Sequence, residues 1–269
     1  YVTVMNSFGR FRRENELLWE EVDSDLMVEY ETYLKSRGVC PNTSSYYMRG
    51  LRAIYNRAVE KGKTVQREPF KYVYTGIDKT IKRAVPLKVI RQIRDLDLTL
   101  FPTMDFARDI FMFSFYTRGM SFIDMAYLKK KDLQGGTLSY RRQKTGQQLF
   151  VKWEKPMQEI VDKYNTNGTP YLLPIIRDMN ADIRRQYKNA AHLVNDKLKK
   201  LGEKLGLTVP LTSYVTRHGW ASIARSRNIP LAIISEAMGH DSEKTTRIYL
   251  ASLDTTSVDK ANSRILKAL

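Results

Sequence analysis

One cysteine, Cys40, in 269 residues rules out an internal disulfide and fits a reducing compartment. No apolar run approaches the roughly 20 residues that a membrane-spanning helix requires. The three histidines, His192, His218 and His240, show no i,i+3 or i,i+4 pairing. Carboxylates do not cluster at two-metal spacing and no cysteine pair exists, so the sequence offers no metal centre. A glycine-rich phosphate loop of the Walker type is missing, and with it that route to nucleotide hydrolysis. There is no internal repeat and no low-complexity tract. Acidic side chains are in short supply, 29 Asp and Glu against 45 Lys and Arg, for a net charge of +16. An excess of that size points to a polyanionic partner, nucleic acid first, with a solvated basic surface as the plain alternative.

The charge is uneven along the chain. Residues 1–31 carry three basic and eight acidic side chains, net −5, whereas residues 32–83 carry twelve and three, net +9. Residues 6–37 read as helices, with Asp23 or Ser24 capping the second and Gly38 ending it. Cys40-Pro41-Asn42-Thr43 opens a third, with Asn42 or Thr43 as its N-cap. Tyr47, Leu51, Ile54, Tyr55, Ala58 and Val59 form its apolar stripe. Arg49, Arg52 and Arg57 lie off that stripe, with Thr43, Ser44 and Tyr46 near the N-terminus. Such a helix can enter a DNA major groove with its guanidinium groups on phosphates or guanine edges; a solvated basic face reads equally well from these residues alone. Residues 63–86 lose periodicity between Pro69 and Pro86. They read as interdomain linker, taken in the domain division from about residue 76, with Lys79, Lys82 and Arg83 placed to follow a DNA backbone. The expected division is residues 1–83 and 84–269.

In the second part, LKVIRQIRDLD is a short helix, and Thr103 is expected to cap a longer one, MDFARDIFMFSFYTRG, apolar on most of its circumference and therefore buried. After Gly135-Gly136 the period becomes two: TLSYRRQ and QLFVKW form a hairpin with Lys144 at its tip. A helix starts at Lys155-Pro156, a long one covers about 181–205, and three short ones follow over 213–227, 230–238 and 242–250. The fold class is mainly α (α+β), in two domains, with a small β-hairpin or sheet in the second.

Metal-free phosphoryl transfer needs cationic clamps on the non-bridging oxygens, an in-line nucleophile and a proton donor for the leaving oxygen. Arginine suits the clamp because its planar fork stays charged and binds phosphate through two N–H groups. Arg217, His240 twenty-three residues later, Tyr249 nine beyond that, and Lys144 can fill these roles.

At these residues the sequence resembles a family. GHDSEKTTRIYL is similar to the (L/M)GH…T…Y signature of the tyrosine recombinases, the phage-integrase and XerC/XerD-like superfamily. NTSSYYMRGLRAIYNRAVEKG resembles the DNA-facing helix of its SAM-like core-binding domain, FYTRGMSFIDMAYLKKKDL its first-arginine region, and YRRQKTG its lysine hairpin. The resemblance implies an all-α core-binding domain and a catalytic domain that close as a clamp on duplex DNA. Tyr249 would attack the scissile phosphate to form a 3′-phosphotyrosyl link, Arg217 would clamp, and His240 would donate to a phosphate oxygen. Lys144 would protonate the 5′ oxygen, and no cofactor or ATP would be needed.

Two positions depart from the family pattern. Tyr214 stands where His precedes Arg217 by three; a phenol can donate to phosphate but does not exchange protons near neutrality as imidazole does, so Tyr214 is given a clamp role. Aligning Gly119-Met120 with Asp124 puts Ser121 where the first arginine belongs. Arg118, on the same face if this stretch is helical, is the expected replacement, oriented by Asp124. The resemblance further implies a protein free as a monomer that assembles as a homotetramer on paired DNA sites, with accessory DNA-bending proteins possible. A last helix near residues 263–269 would dock on a neighbour. Its setting would be the nucleoid of a prokaryotic cytoplasm, its task integration and excision or inversion of a DNA element. An N-terminal arm-binding domain, common among relatives, is not expected within these residues. The rivals are a recombinase-like DNA-binding regulator with impaired catalysis and a type IB topoisomerase.

Overall fold

The computed structural model describes residues 1–78, 84–251 and 266, without the side chains of residues 248, 249 and 251. The chain divides into two compact units, Tyr1–Thr80 and Ile81–Leu269. Lys79, Lys82, Arg83 and, apart from Leu266, the expected terminal helix lie outside the described residues.

Three helices build the first unit. α1 (Val2–Arg12) stops because Arg13 and Glu14 take positive φ, 54° and 60°, so the helical reading of residues 6–37 is interrupted there. A 3₁₀ turn at Trp19–Glu21 leads to α2 (Ser24–Ser36), whose cap is Asp23, accepting from the Leu26 N–H at 2.8 Å. α3 (Pro41–Glu60) begins earlier than expected. Proline at the first helical position makes Cys40 the N-cap, so neither Asn42 nor Thr43 fills that place. Asn42 is used elsewhere: its Nδ2 donates to the Asp78 carbonyl at 3.0 Å and its Oδ1 accepts from the Asp78 N–H at 2.8 Å. Val4, Tyr30, Leu34, Met48 and Tyr55 centre the core, and the Tyr30 hydroxyl, buried and pushed up to about 12 by desolvation, donates to Ser7 Oγ at 2.8 Å.

Residues 63–78 are not linker. Phe70 and Val73 are buried in this core, the Tyr55 hydroxyl donates to the Val65 carbonyl, and the Tyr74 N–H donates to the Glu31 carboxylate, each at 2.8 Å. Ser45 Oγ donates to the Gly76 carbonyl at 2.5 Å, so even residues 76–78 belong to the unit.

The second unit forms around α5 (Pro102–Tyr116), whose residues 109–114 are all buried. Here again proline at the first position displaces the expected cap, which falls at Phe101 rather than Thr103. α4 (Leu87–Arg94), α7 (Lys155–Asp162), α8 (Ile183–Lys204) and α9 (Val215–Ser226) pack on it, and the short α6 (Phe122–Tyr127) follows it. β1 (Leu133–Gln134), β2 (Thr137–Arg141) and β3 (Gln148–Lys152) form one antiparallel sheet in that order. Tyr140 pairs with Leu149 and Leu138 with Val151, and these four are the inward residues. α10 (Leu231–Met238) and α11 (Glu243–Ala251) join α9 around Ala221, Ala224, Ile234, Met238 and Leu250. No helix among the described residues is long and apolar enough to cross a membrane.

Candidate active site

The site grows from α9. Arg217 lies in its first turn and is only 5% exposed. Its Nη1 donates to the Gly119 carbonyl at 3.1 Å and its Nη2 to the Met238 carbonyl. Gly119 has φ 77°, and a Cβ there would stand 2.6 Å from Arg217 Cα. The loop after α5 thus rests directly on the α9 backbone, which only glycine permits.

His240 follows the end of α10. Gly239 closes that helix in the left-handed region, φ 62°, and a Cβ on it would meet Gln147 Oε1, Leu149 Cδ1 and Arg142 Cδ at 2.9–3.0 Å. The β2–β3 hairpin therefore sits against the Gly-His turn. Arg217 Nη2 faces His240 Nε2 at 3.1 Å. A guanidinium N–H only donates, so Nε2 accepts, and the ring proton on Nδ1 donates to Thr246 Oγ1 at 2.7 Å. Burial first, then the charges of Arg217 and Arg142, pull the His240 pKa down to about 4, which keeps the ring neutral near pH 7. Thr246 is fully buried on α11, three residues before Tyr249. The Tyr249 side chain is outside the description, but Leu250 beside it anchors α11 in the α9–α10 cluster.

Lys144 is exposed in the turn joining β2 and β3. Ser121 is the N-cap of α6: it accepts from the Asp124 N–H at 3.3 Å and donates to Asp124 Oδ2 at 2.6 Å. Asp124, 4% exposed, accepts through Oδ1 from the Gln143 N–H at 2.8 Å. One carboxylate thereby ties the Ser121 turn to the hairpin that carries Lys144. Arg118 does not share a helical face with Ser121. α5 has ended at Tyr116, and Arg118 turns with φ 63°. It is half-buried, and its charge still reaches Tyr140. Tyr214, the residue before α9, is 54% exposed and sets its ring edge-on to that of buried His218, centroids 4.9 Å apart.

Two residues of this site are assigned no role by the motifs. The threonine of the GH…T…Y signature falls on Thr245 or Thr246, and no signal in the sequence separates the two. Arg142 has one: in a strand of period two, Leu138 and Tyr140 face inward, and position 142 continues that parity. Its side chain is 10% exposed and its Nη1 donates to the Gly239 carbonyl at 2.6 Å.

On the first unit, Tyr46, Arg52 and Arg57 are exposed on α3, and Arg49 is half-buried with its Nε donating to the Ser45 carbonyl at 3.4 Å. Arg52 donates to Thr75 Oγ1 at 3.3 Å. Thr43 is half-buried and its hydroxyl pairs with Cys40 Sγ at 3.2 Å. Ser44 is a correction: it is 2% exposed, one turn before the core residue Met48, and so cannot present its hydroxyl to a duplex. Among the described residues no three His, Cys, Asp or Glu side chains gather as a metal site.

The profile of the phage integrase SAM-like domain matches residues 1–81, and that of the phage integrase family matches residues 101–256. The chain is 25% identical over 275 residues to the tyrosine recombinase XerC of Syntrophus aciditrophicus, covering 93% of this chain and 85% of that one. To the tyrosine recombinase XerA of Pyrococcus furiosus it is 26% identical over 178 residues, 64% of this chain and 58% of that protein's length. Among solved structures, a lambda integrase (residues 75–356) dimer bound to a COC′ core site superposes with a TM-score of 0.70 at 14% identity, over 94% of this chain and 89% of that one. The XerH recombinase in a post-cleavage complex with palindromic difH gives 0.73 at 15%, over 98% and 78%. At such identity these likenesses establish the fold.

Proposed function

The chain belongs to the phage integrase family, and from that premise we propose that it cleaves and rejoins duplex DNA at a specific site through a covalent 3′-phosphotyrosyl intermediate. The observation that carries this reading is the contact of Arg217 with neutral His240, with α11, the helix that carries Tyr249 in its sequence, anchored through Leu250 on α9 and α10. In the reaction the Tyr249 phenolic oxygen bonds to phosphorus and the bond to the 5′ oxygen breaks. Lys144, on its exposed turn, gives that oxygen a proton. Arg217 neutralises charge on the non-bridging oxygens; once the phosphate displaces its contact with Arg217, His240 donates to it from Nε2 in the other neutral tautomer, with the Thr246 hydroxyl turning to donate to Nδ1. Tyr214 and Arg118 border the anion, and Asp124 with Ser121 fixes the hairpin. Rejoining reverses each step, with a 5′ hydroxyl attacking the phosphotyrosine. The link conserves phosphodiester energy, so neither metal nor ATP enters.

Residues 1–83 are assigned to core binding, with Thr43, Tyr46, Arg49, Arg52, Lys82 and Arg83 toward DNA, and residues 84–269 to catalysis. A lambda integrase tetramer on a Holliday junction and a Tn1549 transposon integrase with transposon right-end DNA support the extension to four protomers on two sites of a mobile element; accessory bending proteins and a prokaryotic nucleoid belong to the same proposal and rest on the family resemblance alone. A nicked suicide substrate carrying the cognate site tests the reading. Wild-type protein forms a covalent adduct and Tyr249→Phe forms none. An undiminished adduct in that variant refutes the nucleophile, and a wild type that binds the site without forming any adduct is a regulator instead.

A further inference from the structure

Arg141 and Arg142 are neighbours in sequence with opposite fates. Arg141 is exposed, and its Nη1 donates across the turn to the Gly146 carbonyl at 3.0 Å. Arg142 turns inward, where its Nη1 reaches the carbonyls of Gly239, at 2.6 Å, and Met238, at 3.4 Å. The Met238 carbonyl also accepts from Arg217. One oxygen therefore draws both guanidinium groups together beside His240, within the span of a single phosphate.

Two buried cations in contact with one carbonyl repel each other unless an anion lies between or beside them. Among the described residues the carboxylate paired with Arg142 is Asp124, with Nε 4.0 Å from Oδ2, longer than a charge-assisted hydrogen bond. That same Oδ2 already accepts from Ser121 Oγ at 2.6 Å, and Oδ1 from the Gln143 N–H. Asp124 is thus committed to holding the turn and the hairpin, and its 4.0 Å approach leaves the Arg142 charge only partly offset by it. The charge of Arg142 is felt at two neighbouring titratable groups: with Arg217 it adds to burial in lowering the His240 pKa, and it opposes the burial that raises the Tyr140 pKa. Ser121, short and bonded to the same carboxylate, leaves the space beside Asp124 to a side chain that comes from the hairpin.

We propose that Arg142 is a catalytic residue: with Arg217 it forms a two-guanidinium clamp on the non-bridging oxygens of the scissile phosphate, supplied by the hairpin because position 121 is serine. The inference rests on the recombinase reading above. It places the clamp and Lys144 on one rigid hairpin, two residues apart, so that seating the phosphate also aims the proton donor.

The full chain is tested on the nicked suicide substrate, alongside an otherwise identical one whose scissile phosphate is a neutral methylphosphonate. Arg142→Ala is expected to slow adduct formation about 10²–10³-fold, the range for losing one preorganised donor to a developing charge, while binding of the intact site changes only a few-fold. On the methylphosphonate the gap between wild type and variant shrinks at least tenfold, because the charge that the guanidinium offsets is gone; a merely structural role leaves the gap unchanged. Should Arg142→Ala not fold, Arg142→Gln keeps a planar N–H donor and loses the charge, with the same pattern expected. Ser121→Arg in the Arg142→Ala background restores part of the rate. Cleavage by Arg142→Ala within threefold of wild type, a larger loss from Arg118→Ala, or an unchanged gap on the methylphosphonate overturns the proposal. A wild type that forms no adduct on bound DNA overturns the recombinase reading instead, so the two failures are distinct.

Discussion

His240 stores a pH dependence in the DNA-free fold. Its folded pKa, about 4, lies below the ordinary value of 6.5 because burial and then Arg217 and Arg142 disfavour the imidazolium. Between those two values the unfolded chain binds a proton that the folded chain refuses. The contribution is therefore complete above about pH 6.5 and is lost as pH falls toward 4. The melting temperature is expected to drop over that window, and His240→Gln to flatten the part of the drop that wild type shows beyond its carboxylate titrations. Parallel curves for the two proteins, measured by thermal unfolding from pH 7 to 4, would show the ring to be charged in the fold. Legibility at this scale is mixed. Arg217, His240 and Lys144 stand out in the sequence by type and spacing. Arg142 hides among three cations in four positions, and only the inward parity of Leu138 and Tyr140 separates it from Arg141. Arg118 misleads because the stretch looks helical through Gly119, whereas left-handed Arg118 and Gly119 break it.

Elements were legible where one local force decides them. The hairpin follows from period-two alternation, α5 from its apolar circumference, and the α2 cap is legible as Asp23 or Ser24, the structure selecting Asp23. The α3 and α5 starts were not, since a proline at the first helical position overrides a nearby Asn or Thr that would otherwise cap. Nor was the packing of residues 63–78 on α2 and α3, which depends on Glu31, Asn42 and Ser45 reaching backbone groups 31–43 positions away. Contact between elements shows most sharply at Gly119. Gly119→Ala meets both a left-handed φ and the Arg217 backbone, whereas Gly136→Ala, φ 72°, meets the first alone, with nothing within 4 Å of its Cβ. The left-handed strain costs about 1–2 kcal/mol, so Gly136→Ala should lose that much in denaturant unfolding. Gly119→Ala should lose clearly more and also slow adduct formation, because the α5–α6 loop must lift off Arg217. Equal losses would mean that the loop yields freely and does not fix the arginine.

At the scale of the whole molecule, a net charge of +16 gives association with DNA a large ionic component, and the step from −5 over residues 1–31 to +9 over residues 32–83 concentrates part of it around α3. Exposed Arg52, Arg57 and Tyr46 share that helix with a buried stripe of Met48, Leu51 and Tyr55, so one face is committed to the core and the other is free to meet phosphate. Each phosphate neutralised releases condensed counterions and steepens the fall of log K with log salt by about 0.9. Arg52 has only a weak internal tie, to Thr75 at 3.3 Å, and removing it leaves the core intact. Arg52→Ala is expected to reduce the salt slope by about one, to weaken binding alike on the cognate site and on unrelated duplex, and to leave the melting temperature nearly unchanged. Titrations between 50 and 200 mM salt on both duplexes separate the alternatives. Weakening confined to the cognate site would make Arg52 a base reader, and an unchanged slope would make the outer face of α3 a solvated surface that DNA does not touch.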